Sequence, residues 1–298
     1  MPVGNPNFSG LVSDVRRRVY GAMTENVNLI EEDAVAGSDV IKLSLGVDGI
    51  QKGMMISGGL NVWFVKAIYA ANNSVFVIPG YDNSPQDAVS AGDMVYVRPR
   101  MTDWFAFNAL NDQLSLLSSP ENGLYKIGTF TLPVDTTWGT YTVPSSASNM
   151  TTLMRVRWLQ SGTTDLWRDL KPYQWRWQNS ATHSTIRSLV QIPGGTTVEF
   201  TYRAPFTKAT TLTADPIADC GLAETMLDLP VMGAASSLLM TTESTRTQVA
   251  VQGDTRRPEE VANMANQGIG TALYRLYIKR VQQEAIRLNN RVPIYAGV

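Results

Sequence analysis

Apolar and polar positions alternate along most of residues 33–99. Short runs with a period of two end at Gly, Asn, Asp or Pro and follow one another at spacings of about ten residues. The runs are IKLSL from Ile41, MMISG from Met54, VWFVKAI from Val62, SVFVIPG from Ser74 and MVYVR from Met94. This series predicts the antiparallel strands of a small closed or nearly closed β-barrel.

A helical period replaces this alternation on both sides of the predicted barrel. Residues 7–25 carry apolar side chains on one face, which predicts an amphipathic helix of about four turns. Thr102 or Asp103 caps a second helix, DWFAFNALNDQLSLLSS, which Pro120 ends. Near the other end of the chain we expect a short helix over Ile217–Asp228, a helix from Leu229-Pro230 and a long last helix over residues 259–290, with a polar loop over Thr241–Arg257.

Leu124–Pro216 has a different pattern, in which six or more strand-like runs over roughly ninety residues indicate an antiparallel β-sandwich of jelly-roll type. The predicted fold class is therefore α+β. A helical bundle forms the scaffold, and the small β-barrel and the β-sandwich are inserted into it. The predicted domains are a helical adaptor domain (1–32 with 101–120 and 217–298), the barrel module (33–100) and the sandwich (121–216).

The composition excludes several function classes. The chain has one cysteine, Cys220, and one histidine, His183, which removes an intrachain disulfide and most metal or triad chemistry. We therefore expect no catalytic residue, no metal, no cofactor and no enzyme activity. The net charge of −1, the lack of an apolar run of bilayer length and an N-terminus unlike a signal peptide predict synthesis in the cytoplasm and no membrane partner.

The order of the turns between the predicted strands resembles a β-module of tailed-bacteriophage structural proteins. The similarity lies in strand spacing and turn chemistry and not in a catalytic motif. It is found in five stretches, Ser38–Leu45, Gly53–Ile56, Trp63–Ile68, Val75–Tyr81 and Ala88–Val97.

A second stretch, Leu229-Pro230 followed by VMGAASSLL, resembles a helix of phage head-to-tail adaptor proteins, in which it pairs with a long final helix. Counted over the N-terminal helix, the β-module and the C-terminal helical hairpin, the resemblance covers about two thirds of the chain. They imply a virion neck protein, made in the host cytoplasm, that forms a twelve-fold homo-oligomeric ring. They also imply that the ring binds the portal protein and a downstream tail or neck protein, and that DNA passes through it non-specifically.

Three groups of residues are candidates for these contacts. Pro293, Ile294 and Tyr295 lie in an extended, proline-containing tail and are the candidate docking arm for the portal. The ring-interface candidates lie on the predicted last helix and are Arg275, Tyr277 and Arg280. Arg155, Arg157 and Arg176 belong to a basic stretch that could meet DNA or an acidic neighbouring ring, and are DNA-channel candidates.

Two other functions stay open at this point. The sandwich is rich in tryptophan, and Trp175 and Trp177 share one strand face, which is compatible with a tail or baseplate protein that binds carbohydrate. Asp165 and Asp169 flank Trp167 and could form the carboxylate pair of a glycanase, although no second feature supports that hypothesis.

Overall fold

The computed structural model describes residues 7–21, 25–134, 139–160, 162, 166–179, 184–252 and 265–291. The described chain is a mixture of helices and antiparallel sheets, which confirms the mixed helix and sheet class. It forms two compact units, Met1–Leu114 with Lys208–Ile278 (unit 1) and Ser115–Thr207 with Lys279–Val298 (unit 2). The three-domain division predicted above stays a prediction.

Unit 1 contains a six-stranded antiparallel sheet whose order is β1-β6-β3-β4-β5-β2. Its strands are β1 (Asn26–Leu29), β2 (Val40–Lys42), β3 (Met55–Gly58), β4 (Asn61–Tyr69), β5 (Ser74–Ile78) and β6 (Met94–Val97). The sheet curls so that the residues that follow its two outermost strands, β1 and β2, approach each other. An isolated bridge joins Ile30 to Leu43, and the N–H of Glu31 donates to the carbonyl of Lys42 at 2.9 Å.

The concave side of this sheet is lined by β-branched and aliphatic side chains that are almost fully buried, among them Ile41, Ile56, Val65, Val75 and Val95. Alternation within the strands places these side chains on one face, which explains why the sequence shows a period of two. The curled sheet is observed, and a fully closed barrel stays a prediction.

The helices of unit 1 are α1 (Phe8–Tyr20), most of α2 (Asp103–Leu117), α3 (Asp228–Gln252) and the first part of α4 (Ala265–Arg291). The Asn7 side chain caps α1 by accepting from the N–H of Gly10 at 2.9 Å. The ring of Phe8, which is fully buried, meets that of Phe107 on α2 edge-on at 5.5 Å. Pairwise helix contacts of this kind are observed, and the bundle scaffold stays a prediction.

Three helix predictions need correction. The first helix ends at Tyr20 and not at residue 25, because Gly21 takes a left-handed φ of 73° and donates its N–H to the carbonyl of Arg17. The segment predicted as a helix over Ile217–Asp228 instead consists of turns and irregular chain with a short 3-10 helix over Glu224–Met226, and only Asp228 is helical, as the first residue of α3. The segment from Thr241 to Gln252 belongs to α3 and is not a loop.

Unit 2 contains two antiparallel sheets around one hydrophobic core. The four-stranded sheet has the order β10-β9-β13-β7 and the three-stranded sheet the order β11-β12-β8. The strands are β7 (Lys126–Pro133), β8 (Thr140–Thr142), β9 (Thr152–Leu159), β10 (Trp167–Leu170), β11 (Trp175–Asn179), β12 (Ser184–Ser188) and β13 (Thr197–Ala204). Tyr141 of β8 and Phe200 of β13 pack with ring centroids 5.4 Å apart, so the two sheets share this core. The jelly-roll connectivity stays a prediction.

Candidate functional site

A groove of about 490 Å³ lies in unit 1, between the C-terminal turn of α1 and the outer face of strands β1 and β6. Val27 lies opposite Tyr96 in the β1–β6 pairing, and Met94 lies opposite Leu29, so these side chains share one face. Val27 and Met94 are 41% and 53% exposed, which gives the groove an apolar floor open to solvent. Arg16, Arg17 and Arg100 line it together with a single acidic side chain, Glu25.

Arg16 holds the elements around the groove together. Its guanidinium donates to Asp103 of α2 at 2.6 Å and to Glu25, and it lies over the ring of Tyr96 at 4.7 Å from the centroid. Burial opposes the charge of Arg16, but the two carboxylates hold its pKa above the ordinary value. Burial raises the pKa of Asp103, and the charge of Arg16 opposes this shift.

The two neighbouring arginines Arg16 and Arg17, near the end of α1, therefore have different roles. A run of charged residues on an amphipathic helix is usually its solvated face. Arg17 fits that description, since its side chain is exposed and pairs with Asp14 at 2.5 Å. Arg16 does not, because it is only 17% exposed and joins α1 to α2 across the end of the sheet. Sequence alone gave no sign of this contact, because Asp103 is far away along the chain.

The ring-interface candidates differ in exposure. Arg275 is exposed on α4, whereas Tyr277 is 4% exposed and packs inside unit 1, where burial raises its pKa to about 12. Arg280 is half-buried and lies 3.4 Å from the carboxylate of Glu284. Their assignment to a ring interface stays a prediction.

Close packing between α3 and α4 explains the burial of Tyr277. A Cβ atom added to Gly233 of α3 would come within 2.3 Å of Gln113 Oε1 and 3.1 Å of Tyr277 Cε2. Further along, a Cβ at Gly270 of α4 would come within 3.3 Å of Leu239 Cβ. Glycine at these positions allows the two helices to approach closely.

The DNA-channel candidates are also placed differently. Arg155 donates through Nε and Nη2 to both oxygens of Asp169, at 2.6 and 2.8 Å, and these bonds hold the pKa of Asp169 below its ordinary value. Arg157 donates in the same way to Glu199 and lies 4.7 Å over the ring of Trp167. Each of these two arginines is thus neutralised by a carboxylate on a neighbouring strand.

Arg176 has a different neighbour. It lies directly opposite Arg187 in the β11–β12 pairing, and both side chains are exposed. Two like charges at facing positions of an antiparallel pair repel each other. Arg176 and Arg187 are therefore better candidates for binding an anion such as a DNA phosphate than the two neutralised arginines of β9. Arg187 is thus added to Arg176 as a DNA-channel candidate.

The carbohydrate hypothesis receives no geometric support from Trp175 and Trp177. Both are partly buried and pack on the core of unit 2, and Trp177 lies opposite the buried Ile186. Their indole N–H groups are inaccessible to solvent and find no hydrogen-bond partner within the described residues. A sugar-stacking face would have to expose these rings.

Several predicted residues lie outside the described residues: Pro293, Ile294 and Tyr295 of the docking arm, and also His183 and Asp165. Among the residues that are described, no cluster of three or more His, Cys, Asp or Glu side chains could hold a metal ion. No helix in that part of the chain combines the length and apolar character needed to cross a bilayer.

No protein-family model and no curated protein matches this chain. Among solved structures, it has a weak similarity to a chain from a structure described as the neck of an empty GTA particle, computed with C6 symmetry. The TM-score is 0.23 and the sequence identity 11%, over 57% of this chain and 75% of the other.

Proposed function

We propose that this protein is a virion structural protein of the neck, a head-to-tail connector adaptor. In this role it forms a homo-oligomeric ring, twelve-fold if it matches the portal as the resemblance implies. One side of the ring binds the portal and the other binds a tail or neck component, and DNA passes through the central channel without sequence recognition. The protein has no catalytic activity in this proposal.

The observation that carries the proposal is the pairing of α3 with α4. The sequence of α3 from Leu229-Pro230 resembles an adaptor helix that pairs with a long final helix. In the structure, Gly233 of α3 lies against Tyr277 of α4, and Gly270 of α4 lies against Leu239 of α3. The residues that carry the resemblance are thus the ones that make the contact expected of that helix.

The position of the curled sheet supports the same proposal. It is inserted between α1 and α2, and the predicted runs of the β-module correspond to strands β2 to β6. The outer face of this sheet keeps exposed apolar side chains, among them Phe76 and Ile78 at 40% and 45% exposure. A ring protein that binds neighbours above, below and beside it needs such surfaces.

Removal of the protein during assembly tests the proposal. A phage with an early stop codon in this reading frame should accumulate DNA-filled heads and separate tails, because the protein that joins them is missing. Supplying the intact chain from a plasmid should restore joined particles. Joined particles of normal shape made without the protein would contradict the proposal.

A further inference from the structure

The groove between α1 and the β1–β6 face has the chemistry of a receptor for an acidic segment that carries one apolar side chain. Its lining contains three arginines and one glutamate. Of these arginines, Arg16 is already held between two carboxylates and Arg17 by Asp14, which leaves the exposed Arg100 as the cation most available to a partner. The floor of Val27, Met94 and Tyr96 can bury an apolar group.

The same chain displays a segment of that description at the other end of α1. Residues 209–245 contain Asp215, Asp219, Glu224, Asp228 and Glu243 and no basic residue. Within the turn that follows Ala214, Ile217 is 36% exposed and lies between Asp215 and Asp219. We define residues 215–219 as the acidic turn.

Its own hydrogen bonds hold the acidic turn in shape. Asp215 Oδ1 accepts from the N–H groups of Ile217 and Ala218 at 2.7 and 3.2 Å, and Asp219 Oδ2 accepts from the N–H of Asp215 at 2.8 Å. Each carboxylate uses one oxygen in these bonds and retains the other for a partner. Ala214 and Cys220, on either side of the turn, are buried and anchor it, so Ile217 is presented outward.

The groove and the acidic turn lie at opposite ends of one helix. The N–H of Phe8, the first residue of α1, donates to the carbonyl of Ala214 at 3.0 Å, whereas Arg16, Arg17 and Tyr20 of its last turns line the groove. A helix of 13 residues is about 20 Å long. One molecule therefore cannot place its own acidic turn in its own groove without separating these contacts.

We propose that the groove receives the acidic turn of a second copy of this chain, with Ile217 on the apolar floor and the two aspartates facing Arg100. The contact is heterologous, because the acidic turn of each copy binds one neighbour and its groove binds the acidic turn of another. Contacts of this type generate a closed ring when the rotation between copies closes. The inference rests on the proposed function and names the surface that would build its ring.

A charge-swap cycle on the full chain tests the contact. The groove variant is Arg100→Asp and the turn variant is Ala218→Arg, chosen because the Ala218 side chain is exposed and takes no part in the bonds of the turn. Lys66→Asp is the matched control, since Lys66 is an exposed cation on the sheet and lies outside the groove. Self-association is measured by sedimentation velocity, and circular dichroism confirms the fold of each variant.

Each single variant should weaken self-association by about tenfold or more, and the double variant should return it to within about threefold of the wild type. The Lys66→Asp variant should behave like the wild type. The inference is overturned if either single variant associates as well as that control, or if the double variant is no better than the single ones. It is also overturned if the wild-type chain stays monomeric at about 1 mM. None of these results would contradict the proposed function. That proposal is tested independently, by whether joined particles assemble in the absence of the protein.

Discussion

The backbone N–H of Phe8 donates a hydrogen bond to the carbonyl oxygen of Ala214 at 3.0 Å, and the next N–H, that of Ser9, donates to Leu212 at 2.9 Å. The first turn of α1 is thus bonded to the segment that leads to α3. Unit 1 is assembled from two stretches that are far apart in sequence, and the residues between them form most of unit 2. The contacts between these stretches are therefore the ones most worth testing.

The close approach of α3 to α2 and α4 at Gly233 predicts a stability effect. Gly233→Ala should lower the free energy of unfolding by about 1–2 kcal/mol, because the added methyl group must displace the buried Gln113 and press on Tyr277. Urea denaturation followed by circular dichroism measures the change.

Gly268→Ala is the matched control, because it is the same change in a helix where an added Cβ would meet nothing within 4 Å. Alanine is the better helix former, so this variant should gain about 0.5–1 kcal/mol. Equal effects of the two changes would contradict the close packing at Gly233.

The Arg155–Asp169 pair predicts a pH effect with a defined sign. Hydrogen bonds from Arg155 lower the pKa of Asp169 in the folded chain. The pair therefore contributes stability above the unfolded pKa of about 3.9 and loses it as the pH falls through the folded value. The contribution is small, since both side chains are about half exposed.

An NMR titration of the Asp169 carboxyl should give a midpoint below the ordinary value. Arg155→Ala should move that midpoint upward, and Arg176→Ala, which removes an arginine from the other sheet, should leave it in place. A midpoint that does not respond to Arg155→Ala would contradict the assigned cause.

The arginines of unit 2 should contribute unequally to DNA binding. Arg176 and Arg187 face each other across two strands and are both exposed, so we expect each to bind a phosphate in the proposed DNA channel. Arg176→Ala and Arg187→Ala should each weaken non-specific duplex binding and reduce its salt dependence by about one released counterion. Fluorescence anisotropy at several salt concentrations measures both quantities.

Arg155→Ala is the control for this series, because Asp169 already neutralises that side chain. It should change the affinity little. If Arg155→Ala has the larger effect, the DNA contact lies on the four-stranded sheet and the assignment to Arg176 and Arg187 is wrong.

A short deletion tests the predicted docking arm. Deletion of residues 293–298 should leave a folded chain that no longer joins purified portal-containing heads, because the deletion removes Pro293, Ile294 and Tyr295. Sedimentation of the heads with labelled protein measures the attachment. Full attachment of the shortened chain would refute the docking arm.

The alternating pattern predicted strands β2 to β6 well, and it failed for β1 for a physical reason. In the sequence NVNL, Asn28 points inward and Val27 outward, which inverts the expected polarity. Asn28 is 6% exposed and is satisfied by the carbonyl of Gly46 and by the N–H groups of Leu29 and Leu45. A strand with a buried polar residue that is hydrogen-bonded to nearby backbone groups lacks the expected alternation, so a hydrophobicity pattern does not detect it.

The groove could not be predicted, because its parts come from α1, β1, β6 and the residues just before α2. The predicted short helix over Ile217–Asp228 includes the second half of the acidic turn, and no helix forms there. Asp215 instead uses its side chain to bond Ile217 and Ala218, which favours a turn. The signal was present in the sequence DPIAD, in which an aspartate and a proline precede the apolar residue.

The most direct test of the neck assignment is the position of the protein in intact particles. Gold-labelled antibody against this chain, or cryo-electron microscopy of a tagged particle, should place the protein at the junction of head and tail, as a ring around the DNA path. Density or label at the tail tip, in a fibre or nowhere in the particle would contradict the account.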